Sequence, residues 1–251
     1  CGSPCIGEPC KSKLINMTVT VEKNELALIV GAGQGLSASL TRLFTSRGIK
    51  VALASRNIDK LDSLVSETGA ITYKCDAVSP GNVADLFNRV SSDIGQPDIV
   101  IYNASNRVRG AITDLDPDSV LQAIKITCYG GFLVAQQAAK LMVPLGRGSI
   151  FFTGASASVK GYPNSATFAM GKFGLRGLAQ SLSRELHPKN IHVAHFVIDG
   201  GIKQPNDLRV DRGSDGFLDP DNIAKTYYDF LRQPRDSWAW EIELRPWIEK
   251  F

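Results

Sequence analysis

The stretch Leu26–Leu40, LALIVGAGQGLSASL, limits what this chain can fold into more than any other segment. Its apolar start is typical of a buried strand, and it stops at the glycine-rich run Gly31–Gly35. A helical pattern then begins, in which Leu36, Leu40 and Leu43 share one face. A strand, a glycine turn and a helix start form a cradle for a pyrophosphate, because the helix presents unpaired N–H groups and glycines allow close approach. The alternative is a glycine-rich turn in an α/β protein that binds no nucleotide.

The length and composition fit one α/β domain, or at most two small ones. The chain has 251 residues, of which 43 % are hydrophobic, which is enough for a large core. Its formal net charge is +3 and its basic residues are scattered, so we expect no nucleic-acid partner. No apolar run approaches the ~18 residues that a membrane span needs, so we expect no membrane association.

The cysteines indicate a reducing compartment. There are five, and three lie within the first ten residues: Cys1, Cys5 and Cys10. An odd count without paired spacing argues against a disulfide framework and favours a cytoplasmic location. The spacing matches no zinc pattern and no histidine is near, so we predict no metal site. We interpret residues 1–24 as an N-terminal tail, in part non-native, with Met17 as a candidate natural start, ahead of one domain over residues 25–251.

Beyond this tail, short aliphatic runs alternate with amphipathic helical patterns. The runs predict strands near 25–31, 50–54, 71–75, 98–102, 148–153, 191–198 and 239–244. The patterns predict helices near 35–47, 57–67, 80–94, 117–143, 163–187 and 220–233. The predicted fold class is therefore α/β: a Rossmann-like, doubly wound, mainly parallel sheet of about seven strands with helices on both faces. The polar residues 203–219 follow a strand end and are a candidate lid.

The end of the second predicted strand indicates which dinucleotide the cradle would take. An acidic residue about twenty positions after the glycine turn favours NAD, because it accepts hydrogen bonds from the adenosine ribose. This sequence has Ser55, Arg56 and Asn57 there instead. A guanidinium pairs with a 2′-phosphate, so the sequence favours NADP(H). The alternative is a solvated arginine at a strand end.

With these segments together, the chain resembles the short-chain dehydrogenase/reductase family over about residues 25–245. The segments are the glycine turn, Cys75-Asp76-Ala77, Tyr102-Asn103-Ala104-Ser105 and Asp199-Gly200-Gly201-Ile202, in which Ser105 and Asp199 depart from the family's glycine and proline. The resemblance implies an NADP(H) site. Its expected residues are Gly31, Gln34, Gly35, Leu36, Ser55, Arg56, Asn57, Asp76, Ala77, Asn103, Ala104, Ser105, Lys172, Gly200 and Ile202.

The resemblance breaks at the catalytic residues. The family's Tyr-x-x-x-Lys signature is Phe168-Ala169-Met170-Gly171-Lys172 here, so the lysine is kept and the tyrosine is lost. The family's serine and asparagine positions hold Ala155 and Thr127. In the family the tyrosine moves the substrate's proton, and phenylalanine has none to move. Ser156 or Thr153 is a candidate replacement hydroxyl, and Tyr162 is either a relocated acid or a crevice-wall aromatic. The expected catalytic residues are therefore Lys172, Ser156 and Tyr162.

Three functions remain open at this point. The first is an NADP(H)-dependent oxidoreductase with an atypical active site, which reduces a small carbonyl or conjugated C=C compound. The second is a non-catalytic NADP(H)-binding sensor or regulator. The third is a structural subunit that has lost the nucleotide. The resemblance also implies a homodimer or homotetramer formed through the two long helices and the last strand.

Overall fold

A computed structural model describes residues 25–204, 209, 213 and 215–249, and these residues contain one seven-stranded sheet. All of its neighbouring strands are parallel, in the order β3-β2-β1-β4-β5-β6-β7. The strands are β1 Leu26–Val30, β2 Lys50–Ser55, β3 Ile71–Lys74, β4 Ile99–Tyr102, β5 Ser149–Thr153, β6 His192–Ile198 and β7 Glu241–Leu244. The predicted tail and much of the candidate lid lie outside the described residues.

Seven α-helices connect or follow these strands in the described part of the chain. They are α1 Leu36–Ser46, α2 Asp62–Thr68, α3 Pro80–Asp93, α4 Pro117–Ile124, α5 Gly130–Leu145, α6 Ala166–Leu186 and α7 Pro220–Leu231. Three of them begin with a capping side chain followed by proline: Ser79 before α3, Asp116 before α4 and Asp219 before α7. Each cap accepts a backbone N–H and each proline has no N–H to lose, so these sequences start helices.

The long helix predicted over 117–143 is interrupted in the structure. The π-helical segment Lys125–Tyr129 joins α4 to α5, so one predicted helix is three consecutive segments. π-Helical turns are rare in proteins, but those that occur often lie at functional sites, because the extra residue widens the turn. This segment carries Thr127, which the resemblance had placed at a catalytic position.

The sheet is buried on both faces, which explains the continuous apolar runs in the sequence. In β1, Leu26, Leu28 and Val30 face one hydrophobic cluster, to which α5 and α6 contribute. Ala27 and Ile29 face the other cluster, to which α1 and α7 contribute. The predicted fold class is confirmed: a doubly wound parallel sheet with helices on both faces.

The strand order places the functional site. It reverses between β1 and β4, which are neighbours although the chain leaves β1 for β2. In open α/β sheets, ligands bind outside the carboxyl ends of the strands at such a switch point. None of the helices in the described ranges is long and apolar enough to span a membrane.

Candidate active site

An open cavity of about 760 Å³ lies at the carboxyl ends of the strands, and we call it the crevice. The sequence-predicted residues on its wall are Leu36, Asn103, Ser105, Ser156, Tyr162, Lys172, Gly200 and Ile202. The remaining predicted residues lie at or just beyond the carboxyl ends of the first four strands: Gly31, Gln34, Gly35, Ser55, Arg56, Asn57, Asp76, Ala77 and Ala104. A second cavity, of about 620 Å³, contains Asp98 and Arg147 at the opposite edge and none of the predicted residues.

The glycine turn packs closely against the loop after β4. Gly31 has φ +90°, and a Cβ there would lie 2.3 Å from the backbone N of Ala104. The Asn103 amide donates to the Gly31 carbonyl at 3.3 Å and to Ser37 Oγ at 2.8 Å, which ties the loop after β4 to the turn. No side chain of the described chain caps α1, so its first N–H groups face the turn. This arrangement fits a pyrophosphate.

Just beyond the end of β2, the predicted cofactor site carries the exposed cation Arg56. Ser55 is buried at the end of β2, whereas Arg56 and Asn57 are exposed just beyond it. Asn57 Oδ1 accepts the N–H of Asp59 at 3.0 Å and shapes the start of the next turn. An exposed guanidinium at this position fits a 2′-phosphate better than a ribose hydroxyl pair.

Lys172 is the one matching catalytic position, and it is buried. Its Nζ donates to the Thr153 carbonyl at 2.6 Å, and Nζ lies 5.8 Å from the ring centroid of Phe168. Burial, and then the positive charge of Arg107, lower the pKa of Lys172 to about 7. An ammonium with such a pKa holds and releases a proton near neutral pH, which Phe168 cannot do.

We expect Lys172→Met to change how stability depends on pH. The pKa of Lys172 is about 7 in the folded chain, below the ~10.4 of an unfolded lysine, so the unfolded chain binds more protons between these values. From pH 7 to pH 10 the wild type should therefore gain about 1.4 kcal/mol per pH unit in free energy of unfolding relative to Lys172→Met. Urea unfolding of both proteins at pH 7, 8 and 9 measures this, and a constant difference would contradict the lowered pKa.

A buried polar chain holds the loop after β5. His195 Nδ1 lies 2.9 Å from Glu241 Oε2, and His195 Nε2 lies 3.3 Å from Ser158 Oγ. Burial lowers the pKa of His195 to about 4, so the ring is neutral at pH 7, donates to Glu241 and accepts from Ser158. Ser158 Oγ in turn accepts the Ala155 N–H at 3.1 Å. These residues fix the backbone on which Ala155 and Ser156 lie.

The candidate replacement hydroxyls differ in where they point. Both Thr153 and Ser156 line the crevice, but Thr153 Oγ1 is hydrogen-bonded to the buried Tyr227 OH at 2.8 Å. Tyr162 also lines the crevice, with 46 % of its surface exposed. Thr153 is therefore the weaker of the two hydroxyl candidates, and Ser156 and Tyr162 keep their predicted roles as proposals.

Asp199, which stands where the family has proline, has a structural explanation. Its carboxylate is buried and accepts hydrogen bonds from Lys160, at 2.7 Å, and from Arg245. Lys160 lies in the loop after β5 and Arg245 follows β7, so Asp199 joins three crevice-forming segments. A buried carboxylate with two cationic partners is satisfied where an unpaired one would not be.

Thr127, at the family's asparagine position, holds the loop after β4. Its Oγ1 accepts the Asn106 N–H at 3.1 Å and donates to the Asn106 carbonyl at 3.3 Å. A Cβ on Gly171 would lie 2.8 Å from Thr127 Cβ, so α6 packs closely against the π-helical segment. The backbone before Arg107 is therefore fixed by the π-helical segment.

Sequence reasoning missed Arg107. Its guanidinium carbon lies 4.0 Å from the ring centroid of Phe168, and both Arg107 and Arg109 line the crevice. The available signal was position: two arginines directly follow Asn103-Ala104-Ser105 at the carboxyl end of a strand, where ligands bind in such sheets.

The fold and the crevice define a doubly wound α/β protein of the dinucleotide-binding type. The family model described as short chain dehydrogenase matches residues 25–207. The chain belongs to this short-chain dehydrogenase family, which confirms the resemblance found in the sequence.

Two solved structures share this fold, and a curated relative matches part of the sequence. The crystal structure of a short-chain dehydrogenase from Rhodopseudomonas palustris is 33 % identical, covers 90 % of this chain and 100 % of that chain, and has a TM-score of 0.78. Short chain aldehyde dehydrogenase 1 of Euphorbia lathyris is 30 % identical over 73 % of this chain and 65 % of that protein, so the match spans less than two thirds of its length. A metagenomic short-chain oxidoreductase in complex with NADP is 24 % identical, covers 89 % of this chain and 97 % of that one, and has a TM-score of 0.78.

Proposed function

We propose that this protein is an NADP(H)-dependent oxidoreductase with an atypical active site, which reduces a small carbonyl or conjugated C=C compound. The observation that carries the proposal is the turn itself, where Gly31 and Asn103 hold the loop after β4 against the turn, beside the start of α1, which no described side chain caps. Arg56 at the end of β2 supports NADP(H) over NAD(H). NADP bound to the metagenomic oxidoreductase of the same fold is consistent with this choice.

In this proposal the chain's own residues bind the cofactor, orient the acceptor and supply the proton. Gly31, Gly35 and Leu36 would hold the pyrophosphate, Arg56 the 2′-phosphate, and Lys172 the nicotinamide ribose. NADPH, when bound, supplies the hydride. Ser156 orients the acceptor by donating its hydroxyl, and Lys172 Nζ holds the proton that a family tyrosine would otherwise give.

We expect Arg56→Ala to weaken NADPH binding about 10–100-fold and to leave NADH binding unchanged. The reason is that a charge-assisted pair between the guanidinium and the 2′-phosphate is lost, and only NADPH has that phosphate. Fluorescence titration with each nucleotide measures both dissociation constants. Arg235→Ala is the matched control, because Arg235 is exposed and lies near His187 and Trp238 at the opposite edge of the sheet.

The second candidate is a protein that binds NADP(H) without turnover. Phe168, Ala155 and Thr127 favour it, since three catalytic positions have lost their functional groups. NADPH binding without oxidation across a panel of ketones, aldehydes and enones would select this candidate. NADPH oxidation with any of them above background would select the reductase.

The expected homodimer or homotetramer stays a prediction. An apolar groove between α5 and α6 offers the surface for it, with Phe132, Val143, Leu178 and Leu182 on its wall. Phe132 is 42 % exposed in the single chain, and burial of such a side chain against a second copy would stabilise an assembly.

A further inference from the structure

The wall of the crevice carries more positive than negative charge. Its cations are Arg107, Arg109, Lys172 and Arg209, and its carboxylates are Asp199 and Glu249. Asp199 is already paired with Lys160 and Arg245. Within the described residues, no carboxylate forms an ion pair with Arg107 or Arg109. Arg107 and Arg109 are therefore cations of the crevice wall that form no ion pair with another described residue.

Arg107 is exposed to solvent, but its backbone and its guanidinium are both held in place. Its backbone N–H donates to Asn106 Oδ1 at 2.9 Å, and Thr127 fixes the Asn106 backbone. Farther along the same loop, the Gly110 N–H donates to the Asn164 carbonyl at 3.2 Å. The Phe168 ring lies under the guanidinium at 4.0 Å, and a cation–π contact of this kind limits its motion. The ring face has no hydrogen-bond acceptor atom, so the guanidinium N–H donors stay available.

A ligand that enters the crevice would change the hydration of this exposed guanidinium. Partial burial, and then the charge of Arg109, lower the pKa of Arg107, although an arginine stays protonated at neutral pH. A neutral ligand that filled the crevice would remove water from this cation and give nothing in return. A ligand with an anionic oxygen group would replace that water with charge-assisted hydrogen bonds.

We propose that Arg107 binds an anionic oxygen group of the substrate, a carboxylate or a phosphate ester, beside the reducible carbonyl or C=C group. This inference rests on the proposed function, because it names the substrate class of the same crevice. The planar guanidinium presents paired N–H donors that match two oxygens of either anion, and Phe168 supports it from below. Arg109 adds attraction for the same charge from the crevice wall.

The test compares charged and neutral ligands of the same shape. The probes are 4-oxopentanoate and its methyl ester, titrated calorimetrically into the protein with saturating NADP⁺ at fixed ionic strength. We expect the wild type to bind the acid at least tenfold more tightly than the ester, and Arg107→Ala to lose that difference. Arg107→Lys keeps the positive charge but lacks the planar pair of N–H donors, so it should retain only part of the preference for the acid. Inorganic phosphate runs in parallel, and the tighter of the two anions identifies which group the crevice takes.

The controls separate this inference from the proposed function. Arg235→Ala removes one positive charge away from the crevice and should keep the full preference for the acid. Equal binding of acid and ester, no binding of either anion, or a preference that survives Arg107→Ala would overturn the inference. Loss of NADP⁺ affinity in Arg107→Ala as large as the loss of acid affinity would also overturn it, because Arg107 would then hold the cofactor. Absence of NADP⁺ and NADPH binding by the wild type would instead refute the proposed function, and the anion titration of the cofactor-free protein would still test Arg107.

Discussion

A Phe168→Tyr, Ala155→Ser variant is expected to reduce a small neutral ketone with NADPH about 10²–10⁴ times faster than the wild type, because a positioned general acid contributes about this factor. Phe168 lines the crevice with 7 % of its surface exposed, and its ring centroid lies 4.0 Å from the Arg107 guanidinium carbon and 5.8 Å from Lys172 Nζ. Both cations would stabilise a phenolate at this position and lower its pKa. Ala155 also lines the crevice, so a hydroxyl there would orient the ketone oxygen.

The matched control for this gain is Phe173→Tyr. Phe173 is on the same helix, but it is 45 % exposed and does not line the crevice, so an added hydroxyl there should leave turnover unchanged. Initial rates of NADPH oxidation with a panel of ketones measure the effect. If the double variant binds NADPH normally and gains no activity, the crevice lacks more than the proton relay, and the non-catalytic candidate is favoured.

Gly31→Ala is expected to lower the free energy of unfolding by about 2–5 kcal/mol, since left-handed backbone strain costs roughly 1–2 kcal/mol and overpacking roughly 1–3 kcal/mol. Gly31 has φ +90°, and its new Cβ would lie 2.3 Å from the Ala104 N and 2.8 Å from the Ala104 Cβ. The Ala104 backbone has little room to retreat, because the neighbouring Asn103 side chain is bonded to the turn. Urea unfolding without nucleotide measures the loss.

The neighbouring glycine provides the control for this prediction. A Cβ on Gly33 would meet nothing within 4 Å, so Gly33→Ala should change the free energy of unfolding by less than about 0.5 kcal/mol. Equal losses of unfolding free energy in both variants would mean that the contact with Ala104 is not the cause of the loss in Gly31→Ala. NADPH affinity of Gly31→Ala should fall as well, because the cradle would no longer close as it does in the wild type.

The fold was predictable because its signals are local and repeated. The central strands of the sheet are apolar runs buried on both faces, and the helices between the strands fix parallel pairing and handedness. The predicted strand 98–102 is β4 Ile99–Tyr102, and the predicted helix 220–233 is α7 Pro220–Leu231. The break between α4 and α5 was not predictable from periodicity, because Lys125–Tyr129 is an ordinary continuation of a helical sequence.

The candidate site was predictable only in part. Sequence motifs identify Lys172 and the glycine turn. The position of Arg107 in the site, by contrast, is seen only from its side-chain contact with Phe168, which joins a loop to a helix. The chain from Ser158 through His195 to Glu241 joins a turn and two strands that are far apart in sequence. Residue types and spacing carry no information on such contacts until the strand order is known.

The π-helical segment Lys125–Tyr129 makes the crevice sensitive to the length of the helix that contains it. A π-helical turn differs from an α-helical one by a single extra residue. The geometry of this part of the site therefore depends on the number of residues between Pro117 and Leu145. Deleting one residue there would let the helix continue with regular α-helical hydrogen bonds, and the widened turn that brings Thr127 to Asn106 would be lost. A one-residue deletion in this chain should therefore loosen the loop that carries Arg107, because Thr127 would no longer fix the Asn106 backbone.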